Sequence, residues 1–502
     1  MSALMAAERE EPKDLFSSRF ALLLVALGMA IGTGNIWRFP RIIAKFDGGG
    51  TFLIPWVIFL FTWSIPLLIV EFSIGKKTRR GVVASLSSML GPKLAWLGAF
   101  VALCTTMIMC YYAVIAGWCG IYVIESLRGA IGALGKEAAT EHFKGLAQGA
   151  PALLATALVF GIAAFFVARG LRGGIERANK IFLPILFALL LVLLVVGLTR
   201  EGAHRGIDYM FRVNGDALLT TKPWLEALSQ SAFSTGAGWG LLMTFAIGSS
   251  TKENGVGNAL ITGVGNNTAS LVAAMATIPA VFALAPLLNA DAVQVLQTNT
   301  PGNTGMAMVW IPRLFGELGA AGPWLSAMFF LALTFAALTS LIAMVELATR
   351  CVMDLGLSRR RAIGFVCGVG FAAGIPSAMS LGFLDNQDWA WGLGLLISGL
   401  ICVIAVWRVG CDTFRREWIN RSGVGFQLGP WFNWVLMAAI PVQFAWLLGW
   451  WFYESVSGKW AAHWWDPLDT YSVGTCVAQW TLAFVVLRLL NRKLKPPVDQ
   501  DS

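Results

Sequence analysis

Runs of predominantly apolar residues recur along the whole chain, and about 20 such residues are what an α-helix needs to cross roughly 30 Å of hydrocarbon. They fall at approximately 20–41, 51–75, 94–125, 150–168, 181–199, 225–250, 257–288, 323–349, 362–380, 389–407, 430–452 and 471–491. With no water in the bilayer to satisfy backbone polar groups, runs of this length must be helices. The pattern predicts an all-α polytopic membrane protein with twelve transmembrane helices. Composition supports it: 13% of the 502 residues are charged, whereas soluble domains carry about a quarter, and mean hydropathy is +0.69.

The formal net charge of +9 would point to an anionic partner in a soluble protein; in a membrane protein its placement reports topology. Of the 37 Lys and Arg, 25 fall on the side of the termini, crowded into connections such as Lys76–Arg80 and Arg350–Arg361. The excess of basic residues sets both termini in the cytoplasm, the chain being multi-pass in an inner or plasma membrane. The charge predicts contact with anionic lipid and no nucleic-acid partner. Tryptophans 446, 450, 451, 460, 464 and 465 cluster at the outer end of the last two helices and read as an interfacial belt.

The eight cysteines lie in or beside apolar segments with no C-x-x-C pair, and the three histidines have no metal-site spacing. They read as packing residues, not as ligands. The charged start, Glu8 to Asp14, lacks the pattern of a cleaved signal peptide, so the first helix is expected to stay. The spans hold no nucleophile–base set and no paired carboxylates, and a membrane enzyme or a channel is disfavoured.

Two helices carry glycine clusters at mid-depth: Gly28-Met29-Ala30-Ile31-Gly32-Thr33-Gly34-Asn35 in the first and Phe233-Ser234-Thr235-Gly236-Ala237-Gly238-Trp239-Gly240 in the sixth. Each interior glycine costs a helix about 1 kcal/mol against alanine. Close helix packing fits the spacing of Gly28 with Gly32 and Gly236 with Gly240. Backbone leaving the helix to line a cavity fits too, and the clusters open corresponding sets of five helices, as in transporters built from inverted repeats. Unwound carbonyls suit a small cation, and half-helix N-termini suit a carboxylate. Thr339 and Ser340 on helix eight, with Asn266, Asn267 and Thr268 on helix seven, are further polar groups in apolar surroundings.

At Gly32-Thr33-Gly34-Asn35-Ile36-Trp37-Arg38-Phe39-Pro40, Gly48-Gly49-Gly50-Thr51-Phe52 and Ile65-Pro66-Leu67-Leu68 up to Glu71, the sequence resembles the neurotransmitter:sodium symporter family. The likeness continues at Tyr111-Tyr112, Gln230 to Gly240, Ala336 to Ser340 and Leu384-Asp385 to Asp388. It implies an inverted 5+5 repeat with discontinuous helices 1 and 6 and two additional C-terminal helices. The layout is then an N-terminal segment 1–19, a first repeat 20–199, a second, inverted repeat 225–407, helices eleven and twelve over 430–491, and a tail 492–502.

The resemblance implies two sodium sites. The first takes Ala30, Asn35, Ser234 and Asn266; the second takes Gly28, Ile31, Ala336, Thr339 and Ser340. The substrate pocket it implies is Ala30, Gly32, Gly34, Ile108, Tyr112, Phe233, Ser234, Gly236, Trp239, Ser340 and Met344. Gly32 stands where monoamine-carrying members have an aspartate, so the substrate is expected to bring its own carboxylate. Gly236 and Trp239 replace the serine and phenylalanine of leucine-transporting members. Arg38 and Asp388, over Tyr112 and Phe233, form the implied outer gate; Lys13, Phe16 and Asp354 form the inner one, with Lys13 and Phe16 replacing arginine and tryptophan and Gly248 replacing tyrosine. Gln230, Ser234, Asn266 and Ser270 match a chloride site, although Trp56 stands in place of its tyrosine. Glu71 and Glu346, costly in lipid, are expected to face the interior.

The function expected is sodium-coupled import of a neutral amino acid by alternating access, with two Na+ and a place for Cl-, by a monomer or homodimer in a lipid bilayer. A proton-coupled or chloride-dependent carrier of another zwitterion or a small amine is the alternative.

Overall fold

The computed structural model describes residues 15–422 and 425–494, and every regular element among them is helical. Numbering the twelve sequence segments as spans one to twelve, ten coincide with helices long and apolar enough to cross a membrane: Gly50–Thr78, Pro92–Leu127, Ala150–Ala168, Leu171–Leu198, Gly255–Leu288, Gly319–Met353, Arg359–Met379, Leu381–Val409, Trp431–Val456 and Val473–Arg492. Spans one and six are the interrupted ones. Span one is Arg19–Ala30, an extended step at Ile31 and Gly32, then Thr33–Ile36 and Arg38–Ile43. Span six is Thr221–Ser234, a non-helical stretch to Gly240, then Leu241–Ala246.

Two helices begin well before their apolar runs because charged residues in the added turns find partners. Span five starts about ten residues early, with the π-helical turn Leu171–Glu176, where Glu176 accepts from Ser17 N at 3.1 Å and pairs with Lys180 at 2.6 Å. Span ten starts at Leu381, with Asp385 bonded to Asn303 Nδ2 at 3.0 Å and Asp388 to Tyr111.

Burial sorts the spans into layers. The most apolar stretch of span ten is 83% buried inside the protein and those of spans three and eight 78%, whereas spans five, eleven and twelve bury 28%. A helix that is apolar all round can satisfy either environment, so its neighbours decide which it meets. Spans three, eight and ten therefore form an inner layer around the two breaks, and spans four, five, nine, eleven and twelve carry most of the lipid-facing surface.

The break in span six is held from three sides. Gly236, Gly238 and Gly240 have φ of +72°, +87° and +79°, a region that L side chains avoid. The amides freed there find the buried Glu71 carboxylate, which accepts from Gly238 N at 2.6 Å, Leu242 N at 3.1 Å and Met243 N at 3.3 Å. Thr105 Oγ1 donates to the Trp239 carbonyl at 2.6 Å, and Arg79 donates to the carbonyls of Ala246, Ile247 and Ser249 at the helix end. These freed groups are thus paired inside protein, as non-helical backbone at membrane depth requires.

Candidate functional site

Between the breaks lies a cavity of about 570 Å³ that opens towards the ends of the spans near Lys45, Lys222 and Lys459. All eleven residues that the resemblance assigns to the substrate line it. Gly32 leaves the room at its floor: a Cβ there would lie 3.1 Å from Tyr112 Oη and 3.4 Å from Ser340 Oγ. Tyr112 Oη accepts from Thr33 N at 3.2 Å, at the first turn of the short helix Thr33–Ile36. Ile108, Phe233, Trp239 and Met344 supply apolar walls, joined by Leu241 and Leu395, which sequence reading did not select. No local pattern marks those two; only the fold of span six against span ten brings them in.

Behind the cavity wall the polar residues of the first cation set converge. Asn35 Nδ2 lies 2.8 Å from Asn266 Oδ1, 2.8 Å from Ser270 Oγ and 3.2 Å from Ser234 Oγ, while Asn35 Oδ1 accepts from Gly32 N at 3.0 Å. The Asn266 side-chain oxygen is 3.1 Å from the carbonyl oxygens of both Ala30 and Ser234; turned over, its amide nitrogen would donate to both. Oxygens crowded at that separation repel unless a donor or a cation stands among them. Hard oxygens without a carboxylate are the donor set of a weakly held cation. Asn267 and Thr268 do not join it: Asn267 Oδ1 accepts from Asn266, and Thr268 is exposed and donates to Val264 O at 2.9 Å.

The second set is only partly assembled. Ser340 Oγ reaches across from span eight to within 3.4 Å of Gly28 O and 3.5 Å of Ile31 O. Thr339 Oγ1 instead bonds carbonyls of its own helix, Phe335 at 3.1 Å and Ala336 at 3.0 Å. The buried hydroxyls and carbonyls nevertheless face one crevice between spans one and eight. Of the chloride set, Ser234, Asn266 and Ser270 meet around Asn35, and the buried Gln230 Oε1 has no hydrogen-bond partner.

The two residues that the resemblance assigns to an outer gate do not meet. Arg38 lies 4.9 Å from the centre of the Phe233 ring and donates to Ser229 Oγ at 3.3 Å, and Asp388 accepts from Tyr111 Oη at 2.9 Å. Both charged groups line the same cavity, so the passage above Tyr112 is open. Trp451, expected in an interfacial belt, is buried; it packs on Trp389, Trp450 and Trp460, and with Trp389 and Trp460 it lines the cavity. Trp446, Trp464 and Trp465 are exposed.

Of the residues assigned to an inner gate, Phe16 packs on Phe245 with ring centres 6.5 Å apart, and its N–H donates to Gly248 O at 3.0 Å. Asp354 accepts from Gly81 N at 2.9 Å; burial raises its carboxyl above the ordinary range, opposed by that N–H. Lys13 lies outside the described residues. Glu346 is buried and salt-bridged to Arg350 at 2.7 Å and to Arg359 at 2.6 Å, as its place on an apolar span demands.

The sequence model of the sodium:neurotransmitter symporter family matches residues 13–133 and 142–495. The chain is 31% identical over 445 residues to a sodium-dependent transporter of Methanocaldococcus jannaschii, covering 86% of this chain and 88% of that one. It is 25% identical over 493 residues to the sodium- and chloride-dependent taurine transporter of Canis lupus familiaris, covering 87% and 78%. Among solved structures it matches MhsT in complex with L-phenylalanine, with a TM-score of 0.75, 26% identity and coverage of 87% and 99%.

Proposed function

The chain belongs to the sodium:neurotransmitter symporter family and is a multi-pass sodium-dependent transporter, and on that premise we propose that it imports a neutral amino acid by alternating access, coupled to two sodium ions. The observation that carries this reading is the meeting of Ala30 O, Ser234 O, Ser234 Oγ, Asn35 and Asn266 beside a cavity floored by Gly32. A substrate carboxylate resting on the half-helix N-terminus at Thr33 and under Tyr112 would stand next to that oxygen cluster. Sodium would then neutralise it, so each favours binding of the other.

The remaining lining argues for a neutral side chain. Ile108, Phe233, Trp239 and Met344 offer no charge at the distal end of the pocket. Arg38 and Asp388, apart in this outward-open arrangement, would pair as the site occludes. Coupling requires that sodium bind the outward state better than the inward one, since a ligand with equal affinity for both shifts nothing. The second set of oxygens, spanning spans one and eight, is where that difference would arise. In this reading Phe16, Lys13 and Asp354 form the inner gate, spans one to five and six to ten are the two repeats, and both termini are cytoplasmic.

Chloride dependence is favoured by a specific observation: Ser270 Oγ faces the first oxygen cluster, and among the described residues the hydrogen-bond partners of Asn35 and Asn266 include no carboxylate. The test is thermal stability of the purified protein with each amino acid, in sodium chloride, sodium gluconate and choline chloride, since ligands of the folded state raise apparent stability. Stabilisation by a neutral amino acid that requires sodium is the expected result. Stabilisation by none of them, or equally well in choline, would overturn the reading.

A further inference from the structure

Span five has no part in either cation set that the sequence suggests, yet it carries a polar group without a partner. Asn179 is 2% exposed and its side-chain oxygen accepts no hydrogen bond. Its Nδ2 donates to the Ile175 carbonyl 2.9 Å away, within the π-helical turn Leu171–Glu176. The nitrogen is thus committed to its own helix and the oxygen is left to face span one. That oxygen lies against Gly28: a Cβ built there would stand 1.8 Å from Asn179 Oδ1 and 3.3 Å from Thr339 Cβ. Gly28 and Thr339 belong to the crevice into which Ser340 Oγ points, 3.4 Å from Gly28 O.

A buried carbonyl-type oxygen with no donor is a group whose desolvation nothing in the protein offsets. Set against Gly28, whose own carbonyl lies 3.4 Å from Ser340 Oγ, it is also a hard ligand of the kind a small cation recruits. We propose that Asn179 belongs to the second sodium site, its amide oxygen being the contribution of span five, oriented by Ile175 and admitted by the absence of a side chain at Gly28. The inference rests on the two-sodium reading. It makes the site a junction of three spans, one, five and eight, so that ion loss frees span five as well as span one.

The experiment is a sodium titration of apparent melting temperature on the purified full-length chain without substrate, choline chloride holding ionic strength constant. Asn179→Leu removes the oxygen at similar volume; Asn179→Asp keeps an oxygen but loses the N–H that bonds Ile175. The half-stabilising sodium concentration is expected to rise about tenfold in the leucine variant, the scale for losing a supporting ligand group, and to stay level or fall in the aspartate variant. Asn179→Ser carries the same comparison if the leucine variant does not fold. An unchanged midpoint in Asn179→Leu, or equal weakening in Asn179→Leu and Asn179→Asp, would overturn the proposal, the latter because the bond to Ile175 would then be what matters. Thr339→Val separates the two levels: if it weakens sodium stabilisation and Asn179→Leu does not, the second site stands and the role of Asn179 falls. A wild-type chain with no sodium response would overturn both.

Discussion

Asn35 Nδ2 on the broken first span and Ser270 Oγ on span seven lie 2.8 Å apart, both fully buried, and the same nitrogen reaches Asn266 Oδ1 at 2.8 Å. Both groups are neutral, so position 270 brings no fixed charge to the cluster. A sodium ion among neutral oxygens leaves a buried positive charge, and such a charge needs a counter-ion or a fixed acid. The substrate carboxylate would offset one sodium; with a serine and no acid at 270, a counter-charge for the remaining positive charge would come from solution. Uptake by the wild-type protein in vesicles is expected to fall when gluconate replaces chloride, while Ser270→Glu should work equally in both. Equal wild-type rates in the two salts would remove chloride from the mechanism.

Trp239 and Gly236 shape the far end of the pocket. Gly236 has room around it, its nearest neighbour for a Cβ being Leu241 Cδ1 at 3.9 Å, but its φ of +72° makes any side chain strained. Pocket size is therefore easier to change at Trp239. Trp239→Phe should shift preference towards bulkier neutral side chains by about 1–3 kcal/mol, the range for a methylene-scale change in an apolar pocket. Competition by a size series of amino acids measures it, and an unaltered order of preference would separate Trp239 from the pocket.

Glu71 holds three amides of the break in span six. Glu71→Ala would orphan Gly238 N, Leu242 N and Met243 N at about 1–3 kcal/mol each, enough to unfold a protein of ordinary stability. Glu71→Gln keeps one acceptor oxygen and should lose markedly less. Melting temperatures of the two variants decide it, and equal values would show that water replaces the carboxylate.

Arg38 and Asp388 face one cavity without touching. If they meet on occlusion, Asp388→Asn should leave sodium-dependent substrate binding in place and cut transport by at least about tenfold, as expected when one member of a desolvated charge pair is lost. Binding and counterflow measured on the same preparation separate these. Unchanged counterflow would mean that occlusion does not use the pair.

Much of this architecture was legible before any coordinates. Apolar runs fixed ten helices to within a few residues at most ends, because the bilayer allows a chain few other solutions. The runs failed at the start of spans five and ten, where Glu176, Asp385 and Asp388 interrupt hydropathy but are satisfied by partners more than eighty residues away, or by a lysine one turn on. The glycine clusters were ambiguous between packing and unwinding. The positive φ at Gly236, Gly238 and Gly240 resolves this towards unwinding in span six, and Glu71 is the group that makes it affordable.

The sequence by itself determined the class of protein, the two places where backbone could leave the helix and the kinds of atoms offered there, since these follow from local composition and from the solvent the chain must meet. It could not determine which side of each helix faces which neighbour. That Thr268 looks outward while Asn266 looks in, that Trp451 lines the cavity instead of the membrane interface, that Arg38 rests on Phe233 and that Asn179 confronts Gly28 are consequences of helix rotation and packing. Those are set by side chains distant in the chain, and only the tertiary structure decides them.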